Sequence, residues 1–144
     1  MKTAIITGAS GNMGQAIVKK FLAEGYNVIS TVIPNDSVSL DIRRKNFETA
    51  VVDLMNEDAA QQFVEFVSVK HGHIDVAVLT VGGFAMGSIS GTETSAIARQ
   101  YKLNFETAYN VARPVFMQMK QQGSGRIFLI GSRAGLDMKN SRGM

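Results

Sequence analysis

At 144 residues, 45% of them hydrophobic and 19% charged, the chain has the make-up of one folded globular domain and not of a disordered one. Its net charge of +3 is mild, and its basic residues are scattered apart from Arg43-Arg44-Lys45, so no nucleic-acid partner is expected. The lack of cysteine excludes disulfides, thiol catalysis and cysteine-held metals and fits a reducing cytoplasm. No apolar run approaches a membrane span, and the apolar start is too short for a signal peptide, so a cytoplasmic protein with no membrane partner is expected.

Taken in chain order, the elements alternate. "TAIIT" is a short apolar run bounded by Gly8 and predicts a buried strand. "MGQAIVKKFLAEG" predicts a helix, with Met13, Ile17, Phe21 and Leu22 at helical spacing and Gly25 as its stop. "YNVISTVI" predicts a second strand, closed by the turn residues Pro34 to Asp36. Ser37 to Asn46 is polar and leaves its structure open. "FETAVVD" predicts a third strand. The next helix has Asn56 as cap, Glu57 and Asp58 in its first turn, and Lys70 and Gly72 at its close. "IDVAVLTV" predicts a fourth strand ending at Gly82-Gly83. A long helix is expected from about Thr92 to Gln122, kinked or broken at Pro114, and "GRIFLIG" predicts a fifth strand. Strands that are apolar throughout and alternate with helices predict an α/β fold. The expected form is a Rossmann-like, doubly wound parallel sheet of about five strands, helices on both faces, incomplete on its C-terminal side.

"TGASGNMG", Thr7 to Gly14, places three glycines between the first strand and the first helix. Such a loop aims backbone N–H groups and the positive helix end at one point, which suits a diphosphate. Gly8 would permit the tight turn, Gly11 close approach of a ligand, and Gly14 packing of the helix on the sheet. The plainer reading is a turn glycine, a loop glycine and a packing glycine with no ligand. A helix-ending "HGH", His71 and His73, reads as surface and not as a metal site, and Met117 and Met119 read as helix packing residues.

From Met1 to about Gly135 the chain resembles the short-chain dehydrogenases/reductases. Their glycine motif is usually TGxxxGxG. Here the spacing is TGxxGxxG, that of the family's extended and atypical branches, and Asn12 stands where the middle glycine is common. Asn tolerates a left-handed backbone, which would preserve the shape of the loop. The resemblance implies a dinucleotide held by the loop residues Gly8, Ser10, Gly11, Asn12, Met13 and Gly14. It implies Val32 at the cofactor ribose, Asp53 and Leu54 at the adenine, and Thr80, Gly82 and Gly83 of "LTVGG" near the nicotinamide ribose, with Thr80 replacing the family's Asn. It implies Asn104 of "YKLNF" as the helix asparagine of the proton relay and Ser132, ending "GSGRIFLIGS", as the catalytic serine.

The same resemblance calls for a Tyr-x-x-x-Lys pair after the serine. Tyr26, Tyr101 and Tyr109 are the only tyrosines, and none precedes a Lys by four. The chain is therefore expected to be the N-terminal part of a reductase, a dinucleotide-binding domain over 1–144, with little or no turnover by itself. The cofactor is NADP or NAD. Val32-Ile33 supply neither acid nor base at the end of the second strand, Asp36 comes a little late, and Arg43 and Arg44 later still, which leans towards NADP. The substrate is expected to be a small carbonyl or alcohol, of the 3-oxoacyl, sugar-ketone or pteridine type; "VGGFAMG" and "AGLDMKNSRGM" are similar to the dihydropteridine reductase branch. A homo-oligomer through the helix 92–122 is expected. The alternative is a non-catalytic dinucleotide-binding regulator or redox sensor.

Overall fold

The computed structural model describes residues 1–34 and 42–136. Five segments rich in β-branched and aromatic or aliphatic residues form strands: β1 (Thr3–Ile6), β2 (Asn27–Val32), β3 (Phe47–Val51), β4 (Val76–Leu79) and β5 (Arg126–Leu129). All four pairings are parallel, in the order β3-β2-β1-β4-β5. β1 lies at the centre, with Ile5 opposite Ile29 on one side and Ala77 on the other. β1 and β4 are buried along their whole length, whereas the edge strands β3 and β5 are largely open.

The strands divide their side chains between two cores. Ala4, Ile6, Val28, Val76 and Val78 meet Val18 and Leu22 of α1 (Asn12–Ala23). Ile5, Ile29, Ala77 and Leu79 point the other way. They meet Phe63, Val64 and Val67 of α2 (Glu57–His71) and Val111, Val115 and Met119 of α4 (Thr107–Gln122). Helices thus cover both faces of a parallel sheet, as the unbroken apolar strands predict. Each of the larger of these side chains contributes about 1.5–3 kcal/mol by leaving water.

Three details differ from the sequence expectation. The buried stripe of α1 is Gly14, Val18 and Leu22; Ile17 and Phe21 only flank it and Met13 is exposed. Gly14 heads this stripe because a Cβ there would overlap the Gly8 backbone. The long helix is interrupted elsewhere than expected. α3 (Thr94–Tyr101) runs into a π turn at Lys102–Glu106 and continues as α4, while Pro114 sits inside α4 without ending it. The widening shows in the Thr107 N–H, which reaches back five residues to the Lys102 carbonyl. Finally, Met119 is buried but Met117 is 53% exposed, on the outer side of the same helix.

Candidate functional site

β1, β2 and β4 end together, and hydrogen bonds fix the loop that leaves β1. The Thr7 N–H donates to the Val78 carbonyl and the Ala9 N–H to the Thr31 carbonyl, each at 3.0 Å. The loop is thereby pinned to both neighbouring strands. Gly8 adopts φ +67°, a conformation that glycine enters without strain. Its carbonyl accepts the Gly11 N–H at 3.1 Å, and Gln15 Nε2 donates to the Ser10 carbonyl at 2.9 Å. A Cβ on Gly14 would overlap the Gly8 carbonyl, so only glycine lets α1 come this close. Asn12, expected to be left-handed, is the first residue of α1; Gly11 before it is extended, with φ −71°.

Gly11 is the N-cap of α1 and offers no side-chain acceptor, and no acid stands in the first turn. The leading N–H groups and the positive end of the helix dipole are left for a ligand. A Cβ on Gly11 would meet nothing closer than 3.4 Å, so the loop is open on that side.

A crevice of about 250 Å³ opens along these strand ends. It gathers Gly8, Ser10, Gly11, Val32, Asp53, Leu54, Thr80 and Gly82 of the expected set. Asn12, Met13, Gly14 and Gly83 do not line it. Thr80 latches β4 to β1: its N–H donates to Thr7 Oγ1 at 3.0 Å and its hydroxyl to the Thr7 carbonyl at 2.6 Å. Thr80 thus joins the two strand ends, a task that suits a hydroxyl. Asp53 Oδ1 accepts the Met55 N–H at 3.0 Å, closing a tight turn after β3. The Leu54 carbonyl accepts Asn110 Nδ2 from α4 at 3.0 Å.

Asn104 lies in the π turn. Its Oδ1 accepts the Gly83 N–H at 2.9 Å, and its Nδ2 donates to the Gln100 carbonyl at 3.0 Å and to Gln100 Oε1 at 3.1 Å. Asn104 therefore holds the Gly82-Gly83 segment against the helix. It also lines a smaller hollow, about 180 Å³, with Leu129 and Ile130; Val81 borders both spaces. Ser132 comes two residues after Ile130 and lines neither. It is exposed, and its carbonyl accepts the Gly135 N–H at 3.1 Å in a short 3-10 turn.

Several lining residues escape sequence reasoning. Thr31, Val52, Met55 and Val81 are chain neighbours of expected ones. Leu103 and Thr107 come from the helix, and their spacing of four is the one signal they carry. Ile33, beside Val32, forms an apolar rim. Arg44 Nη1 instead donates to the Leu22 carbonyl at 3.2 Å, near the C-terminal end of α1, and Arg43 has a partner of its own. Asp36 and the stretch from Asp137 onward lie outside the described residues. The histidines diverge: His71 Nε2 lies 3.8 Å from Glu48 and His73 Nδ1 3.5 Å from Asp75. His71, expected at the surface, is only 14% exposed in its side chain.

A central parallel sheet, a glycine loop pinned at its middle strand and a crevice along the carboxyl ends define an α/β protein of the Rossmann type. Residues 2–143 match the family described as short chain dehydrogenase, and the chain belongs to that family. The acetoacetyl-CoA reductase of Acinetobacter sp. (strain RA3849) is 30% identical over 142 residues, covering 94% of this chain and 57% of the relative. A short-chain dehydrogenase from Streptomyces avermitilis superposes with a TM-score of 0.80 at 25% identity, over 88% of this chain and 47% of the other. The fold is shared as well by a short chain dehydrogenase from Leptospira borgpetersenii with bound NAD+. Its TM-score is 0.85 at 20% identity, over 95% of this chain and 54% of the other. The chain spans about half the length of the curated relatives it matches.

Proposed function

We propose that these residues form the dinucleotide-binding domain of an NAD(P)-dependent oxidoreductase acting on a small carbonyl or alcohol. The observation that carries the reading is the N-terminus of α1. Its cap is a glycine, its first turn has no acid, and it stands at the mouth of a crevice on the carboxyl ends of parallel strands. When bound, the dinucleotide supplies or takes the hydride. Gly8, Ser10 and Gly11 face its diphosphate, while Asn12, Met13 and Gly14 carry the helix that attracts it. Val32 lies against the ribose, Asp53 and Leu54 against the adenine, and Thr80, Gly82 and Gly83 towards the nicotinamide ribose. Asn104 and Ser132 serve the proton side of the reaction. Val32 and Ile33 present no carboxylate to repel a 2′-phosphate, so the reading admits NADP(H), towards which it leans, alongside NAD(H).

Fluorescence titration with NADH and NADPH tests the reading. Saturable binding of at least one is expected, weakened tenfold or more by Gly11→Val, whose branched side chain would stand in the open side of the loop. Failure of both to bind overturns the proposal. None of the three tyrosines is followed four residues on by Lys, so ketone reduction by these 144 residues alone is expected to be slight. Binding without turnover in a chain extended through such a pair would identify a dinucleotide-binding regulator instead. The reading places the protein in the cytoplasm, as a homo-oligomer built on the outer face of the helix through 94–122.

A further inference from the structure

We propose that Asn110 is a positioning residue for the adenine end of the crevice, acting through the Leu54 carbonyl. The inference rests on the dinucleotide reading and adds a residue to it. Asn110 sits in the first turn of α4, and its Nδ2 donates to the Leu54 carbonyl at 3.0 Å across 56 positions of chain. Leu54 is itself 4% exposed and lines the crevice between Asp53 and Met55.

The surroundings of this bond give it its importance. Up to Val52 the backbone is still held by the sheet, the Val52 N–H donating to the Val32 carbonyl at 3.0 Å. Beyond it the turn is closed on itself. The Met55 N–H donates to Asp53 Oδ1, and the Asn56 N–H to the Asp53 carbonyl at 3.1 Å. Among the described residues, Asn110 makes the hydrogen bond that ties the backbone of this turn to another element. α4 is a firm reference, since the next residue, Val111, is fully buried, as is Val115. The opposite wall, Gly8 to Gly11, is fixed by β2 and β4. The Leu54 side chain is anchored in the core and its carbonyl is held by Asn110, so the gap between the two walls, where a flat purine would lie beside Asp53, is set by both. A lost hydrogen bond would let the turn drift, and recognition of the purine edge would suffer more than attraction of the diphosphate.

Comparison of NADH with its hypoxanthine analogue, in which a carbonyl oxygen replaces the adenine amino group, isolates that effect. The wild-type chain is expected to bind NADH more tightly, because the Asp53 carboxylate accepts from the amino group. Asn110→Leu keeps the bulk and removes the donor. Its Kd for NADH is expected to rise about five- to tenfold, the size of one lost hydrogen bond. Its Kd for the analogue moves less, so the preference shrinks towards one. Equal weakening of both ligands, with the preference intact, would show a merely structural role and overturn the proposal, as would an unchanged Kd for NADH. Asn110→Asp keeps the volume and turns an acceptor towards the carbonyl; it carries the same comparison should the leucine variant fail to fold. A wild-type chain that binds neither ligand removes the dinucleotide reading and this inference together. One that binds both equally well removes only this inference.

Discussion

Thr80 and Gly14 show how much single side chains decide here. The Thr80 hydroxyl and N–H both reach Thr7, so the ends of β1 and β4 move as one. Thr80→Val keeps the shape and leaves the Thr7 carbonyl, in a residue 1% exposed, without that donor. A loss of about 1–3 kcal/mol is expected in urea denaturation. Gly14→Ala places a methyl group into the Gly8 carbonyl, against backbone that cannot swing aside, so the helix must lift. A loss of about 1–3 kcal/mol is expected, together with weaker NADH binding by fluorescence titration. The roles of Gly8 and Gly14 were legible because a positive φ and a Cβ overlap of this kind admit one residue type. The backbone of Asn12 was not. Whether a residue ends a loop or opens a helix depends on the φ of its neighbour, and Gly11 took the extended one.

At the scale of elements, local chemistry was readable and tertiary influence was not. α2 begins where its cap lies: Asn56 Oδ1 accepts the Ala59 N–H at 3.0 Å, and Glu57 and Asp58 occupy the positive end of the dipole. Asn56→Ala should cost about 1 kcal/mol, read from the shift of the thermal midpoint. A kink or a break of the long helix was expected at Pro114, from its missing N–H; α4 does not break there. The irregularity belongs to Lys102–Glu106, where Asn104 is engaged by Gly83 from one side and Gln100 from the other. A contact between positions 83 and 104 leaves no trace in helical periodicity. Pro114→Ala is expected to raise the thermal midpoint by restoring an N–H to the turn, with NADH affinity unchanged.

For the whole molecule, alternation of strands and helices announced a parallel sheet, and apolar strands announced cover on both faces. The order β3-β2-β1-β4-β5 became visible only through pairing. Burial then separates the centre from the margin. Among the described residues β5 is the outermost strand on its side, and Leu129 within it is 64% exposed. Along the helix, Tyr101, Phe105 and Tyr109 stack ring on ring, with centroids 5.1 and 5.9 Å apart, all about half exposed; Phe116, two turns on, is exposed as well. An apolar surface of that kind favours self-association. Light scattering of a Tyr101→Lys, Phe116→Glu double variant is expected to report a smaller particle than the wild type; an unchanged mass would remove the helix from the interface.

The wide turn at Lys102–Glu106 carries one more residue than an ordinary helix would need to cover the same rise. Excising Lys102 should let the chain rewind into a regular spiral without disturbing the phase of Val111, Val115 and Met119, whereas excising Ala112 would swing the later turns off the sheet. The loss of one residue at that point would thus weaken the grip of Asn104 before it threatened the fold.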